Sequence, residues 1–189
     1  MAKKRVRYRA IDPFDAFVNA RSVDSAATVL ERREERNLFA WPVMVNEALS
    51  LELYLKCLHL VRRRRRGTRT HDVCKLYDLL SKADKKRITR HFDRLVLKHP
   101  LAERMLTDGF RIDIPSVLAR ANGVFENQRY WHERPPLSRD LSGRAGSAGV
   151  GILIMAIMLF LLEIKPEWWQ QFEDFTGGDP PFQIVPLPT

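Results

Sequence analysis

Two groups of polar residues have the types and the spacing to do chemistry. Glu52, Lys56 and His59 are four and three positions apart, so in a helix they share one face. Asn122, Glu126, Arg129 and Glu133 are separated by four, three and four, a narrow stripe on a second helix. If the stripes face each other, Asn46, Glu52, Lys56, Asn122, Glu126, Arg129, Tyr130 and Glu133 form a polar seam. If they do not, each is a ladder of exposed ion pairs worth a few tenths of a kcal/mol per pair. Arg129 precedes His132 by three positions. Arginine holds a phosphate through paired N–H groups, and histidine moves a proton near neutral pH. With Glu133 orienting one of them, this trio is a candidate catalytic set for cutting RNA without a metal, by activating a 2′-hydroxyl. The same spacing also makes any two helix positions neighbours.

Other motifs are thin. His71 and Asp72 follow an arginine run, and their plainest reading is a helix start with Asp72 in the first turn and His71 as a cap. His59, His91 and His99 have no partners at metal-like spacing, and Cys57 and Cys74 form neither a zinc pattern nor a disulfide scaffold. HExxH, P-loop, GxSxG and GxGxxG patterns are lacking, and Gly143, Gly146 and Gly149 follow no strand. No metal and no cofactor is therefore expected. The cysteine usage suits a reducing, cytoplasmic setting.

Charge narrows the partner. Lys and Arg number 32 against 23 acids, a formal net charge of +9 in 189 residues. That excess favours an anionic partner, RNA or a nucleotide. The nucleic-acid candidates are Lys56, Arg64, Arg66, Arg69, His71 and Arg129.

The elements that must position these residues are helical. Residues 12–175 carry helical spacing and no alternation long enough for a sheet. The expected organisation is a basic arm (1–10), one all-α domain (11–175) and an extended tail rich in Pro and Gly (176–189). The arm, with Lys3, Lys4, Arg5, Arg7 and Arg9, has no apolar run after it and is not a secretory signal. Asp12-Pro13 opens a first helix; a second covers 25–36 and a third, mostly apolar, 41–64. Shorter helices follow at 72–80 and, from a capping-box-like Ser81 and Asp84, to about 98 with an apolar stripe of Ile88, Phe92, Leu95 and Val96; a long one then covers 113–133. Residues 145–162 carry no charge. Their dense apolar part reaches only about 20 Å as a helix, short of a hydrocarbon core of about 30 Å. A central buried helix is the expectation; a membrane-spanning or interfacial segment is the alternative. Trp168, Trp169, Phe172 and Phe175 are expected to close the core.

Residues 46–58, NEALSLELYLKCL, resemble the second helix of HEPN-like (higher eukaryotes and prokaryotes nucleotide-binding) proteins, with ELYLK at 52–56 the nearest string. Thr70-His71-Asp72-Val73 with Leu76 is similar to that family's GHDL..L element, and Phe125, Arg129, Tyr130 and Glu133 to its F...RY..E helix. Lys165-Pro166-Glu167-Trp168 fits the closing helix of some members. The blocks occur in family order across 42–168. The resemblance implies an antiparallel all-α bundle, often a homodimer, that binds RNA or nucleotide. It further implies links to toxin–antitoxin or defence systems, with a nucleotidyltransferase or antitoxin chain as possible cognate partner. Nuclease members carry Arg, four to six intervening residues, then His on a late helix. Here Arg129 and His132 have two between them, while Arg66 and His71 have the family gap in an earlier turn. A binding module, a metal-independent endoribonuclease and a membrane-associated protein acting through 145–162 all remain open at this point.

Overall fold

The computed structural model describes residues 12–32, 40–62, 70–99, 107, 112–129 and 142–176; the side chains of 123, 125–129, 142–148, 175 and 176 lie outside that description. The described residues are all-α, with no strand among them.

Helix α1 (Pro13–Glu31) starts where Asp12 accepts a hydrogen bond from the Phe14 amide at 2.8 Å, with Pro13 at the first helical position. The sequence predicts two helices here, and the structure has one. The polar residues between them do not break it, because their groups are satisfied inside the helix. Ser22 Oγ donates to the Val18 carbonyl at 2.9 Å, Thr28 Oγ1 to that of Asp24 at 3.1 Å, and Arg21 pairs with Asp24 at 2.8 Å.

Helix α2 (Ala40–Val61) runs antiparallel to α1. Ser50 Oγ donates to the Ala20 carbonyl at 3.2 Å, and seven residues outward on either side Cys57 Sγ meets the Pro13 carbonyl at 3.3 Å. Burial pushes the Cys57 thiol up to about 12, so it is an inert core group. Phe17 sets its ring edge-on to Tyr54 at 5.9 Å and packs on Trp168 and Phe172. The closing aromatics thus do their expected work through Trp168 and Phe172. Phe175 lies outside the described side chains.

Helices α3 (Val73–Asp78) and α4 (Lys82–Lys98) follow. Ser81 caps α4, accepting from the Asp84 amide at 3.1 Å and donating to Asp84 Oδ2 at 2.7 Å. Helix α5 (Ile114–Arg129) matches the first part of the predicted 113–133 helix; residues 130–133 lie outside the description. Helix α6 (Ser142–Ile164) is the expected central one. It packs on α2, α4 and α5, and Leu153, Ala156, Ile157 and Leu161 are fully buried. Each such leucine or isoleucine contributes about 1.5–3 kcal/mol. Among the described residues no single helix is long and apolar enough to cross a membrane. Pro166 ends α6, and α7 (Glu167–Thr176) leaves at 107° to it. The basic arm 1–10 and tail residues 177–189 lie outside the description, and Thr176 belongs to α7.

Where α5 meets α6, Gly149 permits a close approach: a Cβ there would lie 2.9 Å from Val117 Cγ2 and 3.2 Å from Arg120 Nη2. Gly149→Ala is expected to lower stability by about 1–3 kcal/mol despite alanine's better helix propensity, as read by chemical denaturation. A neutral or stabilising result would mean that the contact relaxes freely. A second expectation concerns pH. His91 is buried, with Nε2 3.0 Å from Glu163 Oε1. Burial holds its pKa below the ordinary 6.5, partly offset by Glu163 and reinforced by Arg94 and Arg87. The unfolded chain therefore takes up the proton first, and stability falls as pH drops below 6.5. Denaturant midpoints measured from pH 7 to pH 5 should fall, and His91→Gln should flatten that slope; an equal slope in the variant would refute the assignment.

Candidate functional site

The first polar stripe of the sequence comes together with a residue thought to be a simple cap. Glu52 is almost fully buried on α2, its side chain 4% exposed. Its Oε1 accepts from Lys56 Nζ at 2.7 Å and from His71 Nδ1 at 2.9 Å. The Lys56 pair is the i,i+4 arrangement that helix geometry favours. His71 arrives from the turn before α3, and its side chain is 83% exposed. One carboxylate thus links a half-buried ammonium to an imidazole standing in solvent.

The turn that carries His71 is fixed on three sides. The Asp72 amide donates to Thr70 Oγ1 at 3.1 Å. Asp72 is the N-cap of α3, accepting from the Lys75 amide at 3.0 Å, and this bond holds its carboxyl below the usual range. The Val73 amide, one of the donors that a helix start leaves without an internal partner, donates to Asn122 Oδ1 on α5 at 3.0 Å. The second predicted stripe therefore begins at the turn that holds His71. Below it, on the same face of α2, His59 is buried with Nε2 2.8 Å from the Leu76 carbonyl. That face of α2 grips both ends of α3.

The chemistry follows from the acceptor. A carboxylate has no proton to give, so His71 Nδ1 carries one, and the neutral ring leaves Nε2 as the acceptor. Protonation turns Nε2 into a donor while the Nδ1 bond persists. Lys56 brings three donors, one of them directed at Glu52. The pair suits an anionic oxygen, with Glu52 fixing both cations from below. Among the described residues no three His, Cys, Asp or Glu side chains are grouped to hold a metal ion.

Of the predicted seam, Glu52, Lys56 and Asn122 are gathered here. Asn46 is not: its Nδ2 donates to the Pro42 carbonyl of its own helix at 2.8 Å. His71 is corrected from cap to Glu52 partner, because Asp72 takes the cap. Positions 126 and 129 lie on α5 with their side chains outside the description, and Arg64, Arg66, Arg69, Tyr130, His132 and Glu133 lie outside it altogether. The candidate catalytic set of Arg129, His132 and Glu133 falls there.

Two features escaped the sequence reading. Arg62, the first of the arginine run, stays exposed along part of its length while its Nη2 reaches buried Asp84 Oδ1 at 2.7 Å, with the guanidinium 5.7 Å from the Phe160 ring centroid. Only the Ser81–Asp84 cap was legible. Glu47 is also buried, and a Cβ on Gly151 of α6 would lie 3.5 Å from its Oε1. The glycines of α6 were the available sign that charged groups press against it.

Glu52→Gln leaves Lys56 without its buried counter-charge and is expected to cost about 3 kcal/mol in chemical denaturation. His71→Ala, an exposed end of the same contact, should cost less than about 1 kcal/mol. Equal costs would make His71 a structural strut. Comparison of the chain with protein families, characterised proteins and solved structures finds no match to any of them.

Proposed function

We propose that this chain is an RNA- or nucleotide-binding module of HEPN-like architecture, with Lys56 and His71 as its phosphate-contacting groups, Glu52 as the carboxylate that sets them and Asn122 as the brace. One observation carries the reading. A buried acid that served stability alone needs a single buried partner, whereas Glu52 also holds an imidazole that is 83% exposed. That arrangement fixes the direction of a group facing solvent. Phosphate oxygens would accept from Lys56 Nζ and from protonated His71 Nε2. The seven residues joining Arg62 to Thr70 add Arg63, Arg64, Arg65, Arg66 and Arg69 to the sequence beside this turn. The net charge of +9 favours the same partner class. The homodimer, and a nucleotidyltransferase or antitoxin partner within a toxin–antitoxin or defence system, rest on the resemblance alone.

A second reading, a metal-independent endoribonuclease, is favoured by the His71 tautomer. With Nδ1–H bound to Glu52, the neutral ring offers Nε2 to the proton of a 2′-hydroxyl. Glu52 would then orient the base rather than react.

Fluorescence anisotropy with a 20-nucleotide single-stranded RNA tests the first reading. Lys56→Gln should weaken binding about tenfold, equivalent to about 1.4 kcal/mol. His71→Ala should also weaken binding, since it removes the second group proposed to meet the phosphate. Unchanged affinity in both variants would sink the assignment. Incubation of the same RNA in EDTA separates the two readings: cleavage lost in His71→Ala selects the enzyme, cleavage lost in His132→Ala returns the role to Arg129 and His132, and binding without cleavage selects the module.

A further inference from the structure

Helix α4 carries Lys82, Lys86, Arg90, Arg94 and Lys98, a cation at every fourth position. All five are exposed. The opposite face buries Ile88, His91 and Phe92. The neighbouring acids are engaged with other cations. Asp84 is buried against Arg62 at 2.7 Å, Asp78 pairs with Lys85 at 3.2 Å, and Glu163 meets Arg87 at 3.3 Å and His91 at 3.0 Å. Among the described residues no ion pair joins any of the five to an acid. Asp93 is the one acid on the outer face of α4.

Stability does not account for this pattern. Like charges four apart on a helix repel. Lys82 and Lys86 also sit in or next to the first turn, the positive end of the helix dipole, where cations are disfavoured. Lys98, in the last turn, suits the negative end of the dipole; the fold gains nothing from the other four cations, whereas a polyanion gains a track. We infer that the outer face of α4 is a docking track for the phosphate backbone of single-stranded RNA. The inference rests on the proposed RNA binding and adds a second contact surface to it.

Geometry selects a single strand over a duplex. Four residues advance the stripe by about 6 Å and turn it by about 40°. From Lys82 to Lys98 it therefore runs about 24 Å and winds about 160° around the helix. A flexible strand follows such a path. A duplex, stiff over about 150 base pairs, touches only the outermost part, near Lys86 and Arg90. The outer face has a single large apolar side chain, Leu97, at 86% exposure, too little to insert into a lipid interface. The Arg62–Asp84 bond joins the beginning of α4 to the end of α2, the helix that also carries Lys56.

The test is the salt dependence of binding of the full chain to the 20-nucleotide RNA. Each single-strand phosphate contact contributes about −0.7 to the slope of log K against log salt. The variant Lys86→Gln/Arg90→Gln/Arg94→Gln should therefore lose about 2 from that slope and weaken binding about tenfold or more at low salt. The charge-preserving Arg90→Lys/Arg94→Lys variant should keep the wild-type slope, and circular dichroism should show both folded. If the triple variant keeps the slope while Lys56→Gln weakens binding, the track is refuted and the Glu52 site stands. If the triple variant loses the slope while Lys56→Gln and His71→Ala bind normally, the track stands and the site reading falls. An equal loss of slope with a 20-base-pair duplex refutes the single-strand assignment. Loss of binding to phosphatidylserine vesicles with RNA binding intact reassigns the face to a membrane. No RNA binding by the wild-type chain overturns both proposals.

Discussion

A helix that is apolar on every side must have neighbours on every side, and α6 sets the arrangement of the rest. Leu153, Ile154, Ala156, Ile157, Met158 and Leu161 bury essentially all their surface. Helices α2, α4 and α5 supply the walls around them. Each wall helix has one side committed to α6, so its polar side faces outward or toward another wall. The polar contacts of α2 with the turn before α3 and with α5 occupy such a margin. The cationic side of α4 is the outward case. At Gly149 the approach is close enough that even a methyl group would collide with Val117.

Among the described residues, several charges that enter the interior meet a partner of opposite charge. Arg21 is 2% exposed and meets Asp24 at 2.8 Å, with its guanidinium 5.9 Å from the Phe172 ring centroid. Burial raises the Asp24 pKa, against the pull of Arg21. Asp84 takes Arg62 and Ser81 together. Pairs of this kind add little net stability over apolar side chains of the same volume, but losing one partner is costly. Their physical role here is geometric. Asp24–Arg21 lies where α1 and α7 meet, and Asp84–Arg62 fixes where α4 departs from α2. Glu52 differs because one of its two partners remains in water.

Much of this was legible from residue spacing. The buried helix could be read from the uncharged run 145–162, the α4 cap from Ser81 and Asp84, and the Glu52–Lys56 pair from its i,i+4 separation. What could not be read depends on contacts between elements distant in sequence. His71 looks like a cap because capping is local, while its bond to Glu52 spans nineteen residues. Asn122 looks like a stripe residue, and its partner is an amide forty-nine residues away. The break expected ahead of the 25–36 helix failed for the opposite reason, since a hydroxyl such as that of Ser22 is compatible with helix when it bonds back one turn. The basic face of α4 is legible in its cation at every fourth position, opposite the apolar stripe that Ile88 and Phe92 share.

The joint between α2 and α3 is anchored at both of its described ends. Arg62 is tied to Asp84, and Thr70 and His71 are tied to Asp72 and Glu52. The register of α3 and α4 against α2 is therefore set by contacts on α2 itself. One residue inserted or removed within α2 would turn everything beyond it by about 100°, so the spacing of Glu52, Lys56 and His59 along that helix admits no latitude.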